Sequence, residues 1–282
     1  MILLLCTVSA ARGGTATSIS GLYATGVNNS SNSLGAGTQE SHWATTYVHA
    51  DNNTFNTSSP GSYVGNAYVV KDDGTNKPSS YAGDTANGMW ITAPGAQDPT
   101  SGWQANKGGS YLSGNGTTGS WAGVYLYREA FTVTGTGSGT VTNSIKFTVN
   151  FAADDIAKVY VNPSLNGNGS INTGVSTAAK TTTQGQAGST QSVTLDNYSN
   201  NNASFVIGTN YLYIEVDNTD GNSGSQGSDT YNMSGLMVYG ISPTITPEVG
   251  AWLPVLGALG LFFWHRSRNK NQSPSPDDLL PA

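Results

Sequence analysis

Hard oxygen donors are concentrated at two places in this sequence, Asp217-Asn218-Thr219-Asp220-Gly221-Asn222 and Asp72-Asp73-Gly74. Calcium takes several such ligands from flexible loops, so Asp217, Asp220, Asp72 and Asp73 are candidate ligands for a structural calcium. Neither stretch follows the EF-hand spacing, and an ordinary solvated Asp/Asn turn has the same composition. Paired carboxylates would suit glycoside hydrolysis, which needs two of them flanking one bond. Asp154 and Asp155 are adjacent, so on a strand they point to opposite faces and cannot form such a pair. Glu129 and Glu215, on separate segments, are the remaining pair. His42 and His49 are seven residues apart, a spacing that suits neither a metal site nor a Ser-His-Asp triad. There is no strand–turn–helix Gly-x-Ser-x-Gly signature. The rings of Trp103 and Tyr111, set among Gly, Ser and Asn, are candidates for stacking on a sugar. Trp43, Trp90, Trp121, Tyr125 and Tyr127 offer similar rings, but large rings in a β protein usually fill the core.

The elements that position these residues read as strands. Ile145, Phe147, Val149 and Phe151 alternate strictly, as do Leu212, Ile214 and Val216 against Tyr211, Tyr213 and Glu215. Leu236 to Ile241 is a short apolar run that fits a buried strand. Further strands are expected at 44–50, 63–70, 89–92, 123–134, 156–161 and 192–195. Clusters of Gly, Asn, Asp and Ser separate them, supplying turns that tolerate positive φ. No window before Val249 has a helical period, and no fixed repeat is present. The fold class expected is all-β, two sheets packed face to face, followed by one C-terminal hydrophobic helix.

Composition narrows the function classes. Charged residues make up 10% of the 282, against about a quarter in ordinary domains, and the net charge is −6. An acidic chain without a basic face is a poor partner for nucleic acid. Aromatics at 10% still allow a real core. The one cysteine, Cys6, lies near the N-terminus, so no disulfide framework is expected.

The two ends are different from the middle. Residues 249–264 carry no charge, with Trp252, Leu253, Leu256, Leu259, Leu261, Phe262, Phe263 and Trp264 supplying apolar bulk. Arg266, Arg268 and Lys270 follow, and Pro247-Glu248 precedes. Aromatic ends and a basic flank suit a membrane segment with its basic side in the cytoplasm. Sixteen residues span about 24 Å against a hydrocarbon core of about 30 Å, so the segment is short for a permanent anchor. This ordered triple resembles the PEP-CTERM sorting signals of Gram-negative bacteria, with Val249 in place of the second proline and a polar tail beyond. The resemblance implies processing by an exosortase-type membrane protease. At the other end, Ile2 to Val8 followed by Val8-Ser9-Ala10 has the form of a signal-peptide h-region and cleavage site without its basic start.

The middle resembles the jelly-roll, galactose-binding-like domain of many PEP-CTERM proteins. The motifs that carry the likeness are Tyr125 to Phe131, Phe151-Ala152-Ala153-Asp154-Asp155 and Gly208-Thr209-Asn210-Tyr211-Leu212. The expected organisation is a truncated signal peptide at 1–11, a jelly-roll-like β-sandwich at 17–243, a sorting and anchor segment at 246–270, and a polar tail at 271–282. The expected function is that of an exported, non-catalytic surface or matrix protein, adhesive or binding extracellular polysaccharide. It would pass through the inner membrane on its way to the surface of a Gram-negative cell. The alternatives are an exported polysaccharide-active enzyme and a structural surface protein without a ligand. Apart from calcium, no cofactor is expected.

Overall fold

The computed structural model describes residues 13–35, 37–49, 65–70, 82–83, 87–92, 123–142, 144–154, 156–167, 170–182, 188–197, 204–218, 235–246, 259–264 and 266–267. The strands are β1 (Thr15–Ser20), β2 (Gln39–His49), β3 (Gly65–Val69), β4 (Ile91–Thr92), β5 (Gly123–Thr136) and β6 (Ser144–Asp154). They continue with β7 (Ile156–Val161), β8 (Lys180–Thr181), β9 (Gln191–Asp196), β10 (Gly208–Asn218) and β11 (Gly235–Thr246). The chain is all-β up to Thr246 among the described residues.

Alternation decides which face each strand buries. On β6, Ile145, Phe147, Val149 and Phe151 are fully buried, while Lys146 between them is exposed. On β5 the inward row is Tyr125, Tyr127, Phe131 and Val133, and on β10 it is Leu212, Ile214 and Val216. Val159 of β7, Leu195 of β9 and Val238 of β11 join the same cluster. Fully burying one such side chain is worth roughly 1.5–3 kcal/mol. Together these rows make the one large core. At its heart Phe131, Phe147 and Phe205 meet edge to face, with centroids 5.5 to 6.3 Å apart.

The strands join in one sheet, where two packed sheets were expected, of order β8-β7-β10-β5-β2-β3-β4-β11-β6-β9, with β1 off this path on the 132–136 end of β5. The sheet is antiparallel and wraps over its own inner face, so that β6 packs across from β10 and β7 and the result is sandwich-like. The longest ladder runs from Gly208↔Val133 to Asn218↔Gly123 between β10 and β5. On the other flank of β5, Trp43↔Glu129 and Thr45↔Tyr127 fix β2. A Cβ on Gly135 would come 2.0 Å from the Thr15 carbonyl oxygen, so a glycine there lets β1 lie against β5. Two smaller clusters fill outer faces: Val124, Leu126, Tyr160, Ile171 and Tyr213, and Val70, Trp90, Ala152 and Met237.

Most of the expected strands are present. β7 has the expected bounds, while β2 starts earlier, at Gln39, and β5 extends to Thr136. Two strands lie outside the expected set. β1 buries only Ala16, and β8 is two residues long, so neither has a readable apolar row.

The C-terminal unit, Thr246–Ala282, is separate from the β unit, Met1–Ile245. Its described residues 259–264 and 266–267 are helical. No helix among the described residues is long and apolar enough to cross a membrane. Residues 1–11 and 271–282 lie outside the described residues.

Replacing Phe147 should remove its contacts with both other rings. We expect Phe147→Ala to cost about 3–5 kcal/mol. Urea unfolding followed by tryptophan fluorescence would measure it, and a cost under 1 kcal/mol would contradict a core centred on this trio.

Candidate functional site

The carboxylate pair suggested by the sequence does not form. Register places Glu129 opposite Leu212 and Glu215 opposite Leu126, an odd offset. Successive residues alternate faces, so Glu129 points inward with Leu212 while Glu215 lies outward with Leu126. Glu215 instead faces Lys158 directly across the β10–β7 ladder, with Lys158 Nζ donating to its Oε1 at 2.7 Å. Beside it, burial first and the Glu215 carboxylate second push the Tyr160 phenol up to about 12. Outward from β5, the Arg128 guanidinium lies 4.9 Å over the Tyr211 ring.

Glu129 has a different neighbour, Glu40. Both are fully buried. Glu129 Oε1 accepts the Tyr23 N–H at 2.5 Å, and its Oε2 accepts no hydrogen bond. Glu40 Oε2 accepts the Gly26 N–H at 2.6 Å, and Oε1 accepts those of Ser41 and His42 at 2.9 and 3.0 Å. His42 Nδ1 lies 3.2 Å from Glu40 Oε1, an ion-pair distance without hydrogen-bond alignment. The ring of His42 stacks on Tyr23 at 3.8 Å, and its Nε2 meets Asn29 Oδ1 at 2.6 Å. Thr25 adds bonds to the carbonyls of Met89 and Val238. Two buried acids thus tie the connection between β1 and β2 onto the sheet. Burial raises the Glu129 carboxyl well above its usual range; the Tyr23 amide opposes this, and the nearby Glu40 adds to it. The two carboxyls are sealed from solvent, and the bonds they accept hold a strap.

A surface cleft among the described residues lies elsewhere. Tyr160, Val161, Asn162, Pro163, Ser164, Val175, Ser176, Thr177 and Ser204 enclose about 170 Å³. Asn162, at φ 46°, holds its floor. Its Nδ2 donates to the Ser204 carbonyl at 2.8 Å and to Asn210 Oδ1 at 2.7 Å, and its Oδ1 accepts the Tyr211 N–H at 2.7 Å. Asn210, fully buried, also spans Val206 in both directions. Across the cleft, Ser176 Oγ accepts the Ser164 N–H at 2.8 Å.

Other expected site residues divide as follows. Asp217 is half-buried on β10, opposite Val124 and Ile156, rather than in an open loop. Asp220, Asp72, Asp73, Trp103 and Tyr111 lie outside the described residues. So do Pro247, Glu248, Trp252, Leu253, Leu256, Arg268 and Lys270. Leu259, Leu261, Phe262, Phe263 and Trp264 are helical and between 47% and 67% exposed, and Arg266 is helical too. Trp43, Trp90, Tyr125 and Tyr127 are core, which removes them as sugar platforms. No group of three or more metal-ligating side chains occurs among the described residues. Sequence reasoning missed Glu40, whose only signal was a lone acid in an otherwise uncharged strand. It also missed the cleft, which is assembled from three separated segments. The chain matches no protein-family model and no curated protein.

The Glu129 carboxyl holds its proton more tightly in the fold than in the unfolded chain. Its contribution is complete below the unfolded value of about 4.3 and is lost as pH rises through the raised folded value. Glu129→Gln keeps the acceptor for Tyr23 and cannot ionise. We expect the difference in stability between Glu129→Gln and wild type to shift in favour of the variant from pH 5 to pH 8, by at most about 1.4 kcal/mol per pH unit. Equal pH slopes in urea unfolding would contradict a raised Glu129.

Proposed function

We propose that this chain is an exported surface or extracellular-matrix protein of a Gram-negative bacterium. In this reading its jelly-roll-like sandwich binds carbohydrate without turning it over, and its C-terminal segment is a sorting signal read by an exosortase-type protease. The observation that carries the proposal is the contrast between the two units. The β unit buries its large apolar side chains in a closed core. The C-terminal helix presents a contiguous apolar run, Leu259 to Trp264, to its surroundings, with Arg266 just beyond. An exposed apolar run of this kind is suited to lipid, and a basic residue at its end favours the cytoplasmic side.

Further support comes from the β unit. The strand order places β10 between β7 and β5 and β11 between β4 and β6, crossovers that a jelly roll requires. The described ionisable groups do not form a solvent-facing carboxylate pair on one face of β5 and β10. The cleft offers hydroxyl groups beside a tyrosine, a lining suited to a polyhydroxylated ligand.

Expression in a Gram-negative host with and without an exosortase, followed by intact mass of membrane and medium fractions, tests the sorting claim. The expected product is exosortase-dependent and ends near residues 246–249. The same uncut mass in both hosts would make the segment a plain anchor. Release of reducing sugar by the purified product would contradict the non-catalytic part.

A further inference from the structure

We infer that the cleft between Tyr160–Ser164, Val175–Thr177 and Ser204 is the carbohydrate site, and that it takes the end of a neutral glycan. This rests on the carbohydrate-binding reading above and adds a location and a ligand class to it.

Size sets the first limit. A cleft of about 170 Å³ is far larger than one water needs, about 10–15 Å³, and smaller than the roughly 300–1,000 Å³ of drug-sized sites. It suits one sugar ring or a chain end rather than a long run of chain. Charge sets the second. None of the nine lining residues is Asp, Glu, His, Lys or Arg. The Tyr160 phenol stays neutral until about 12. A uronate or sulfated sugar would find no cation in the lining, while the Glu215 carboxylate stands close enough to act on Tyr160. A neutral sugar meets hydroxyls at Ser164, Thr177 and Ser204, all on exposed residues, and an apolar surface on Val175, which is 71% exposed. Hydroxyls give and accept hydrogen bonds with sugar hydroxyls, and the apolar patch covers a ring's C–H face.

Rigidity sets the third. The Asn162 side chain is committed to three bonds within the fold, and Asn210 holds the segment carrying Ser204. The cleft therefore needs little ordering on binding, which favours affinity from a small contact area. Substituting Thr177 or Ser204 leaves these bonds in place, because the bond at residue 204 is to its backbone carbonyl.

The test is affinity electrophoresis of the full chain in gels containing dextran, galactan, xylan or mixed-linkage glucan, with alginate and polygalacturonate as anionic comparisons. Thr177→Trp and Ser204→Trp would each fill the cleft, and Thr17→Trp on the exposed face of β1 serves as a control. We expect at least one neutral polysaccharide to retard wild type and Thr17→Trp alike. Both cleft variants should lose affinity at least tenfold, with melting temperatures unchanged. Two cleft variants are used so that one misfolded protein does not decide the result. Retained binding in a folded cleft variant would overturn the location while leaving the carbohydrate-binding reading intact. Stronger retardation by the anionic gels would overturn the ligand class. No retardation of wild type in any gel would overturn both readings.

Discussion

Burial of the alternate inward rows of the long strands is the interaction on which the rest of the molecule depends. Charged residues are scarce, so ion pairs such as Lys158–Glu215, partly buried on the outer face, can supply little of the cohesion. The packing of β5, β6 and β10 supplies the cohesion and leaves one polar problem inside it. Glu129 belongs to the inward row between Tyr127 and Phe131, where an apolar residue would be expected. Its partners are the Tyr23 amide and, by proximity, Glu40. A buried acid with an oxygen left unbonded is costly unless it stays protonated. The fold accepts this at the point where the strap between β1 and β2 must be fastened. The strap in turn carries Thr25, which bonds toward β11, and Gly26, whose N–H meets Glu40.

Strands whose two faces differ were legible in the sequence. Ile145 to Phe151 has a strict period and one buried side, so its face assignment followed from side-chain type. Leu236 to Val238 is buried on both faces and reads as a continuous apolar run. What was not legible depends on pairing. β1 exists because Gly135 lets it approach β5, not because of its own side chains. Glu129 and Glu215 looked equivalent in sequence, but register sends one to the core and the other to the outer face. The cleft was hidden for the same reason, since Asn162, Thr177 and Ser204 become neighbours only when β7 and β10 pair. The Gly208-to-Leu212 motif was visible as a pattern, and the structure supplies its physics: Asn210 is a buried hub that fixes a turn.

The same hub holds the base of the cleft. Backbone carbonyls and amides at Val206, Ser204 and Tyr211 are satisfied by two asparagine side chains. The cleft thus sits at the end of β7, with the segments around Val175–Thr177 and Ser204 completing it and Asn162 tying it to β10. The sealed acid cluster and the open neutral cleft divide the work, one holding the strap and the other facing solvent.

Backbone hydrogen exchange of the full chain, with and without a saturating neutral oligosaccharide that it retains, tests the account most directly. Binding at the cleft should add protection only to amides around residues 160–164, 175–178 and 204–206, with the core strands unchanged and the sugar recovered intact. Protection on another surface, or recovery of cleaved sugar, would contradict it.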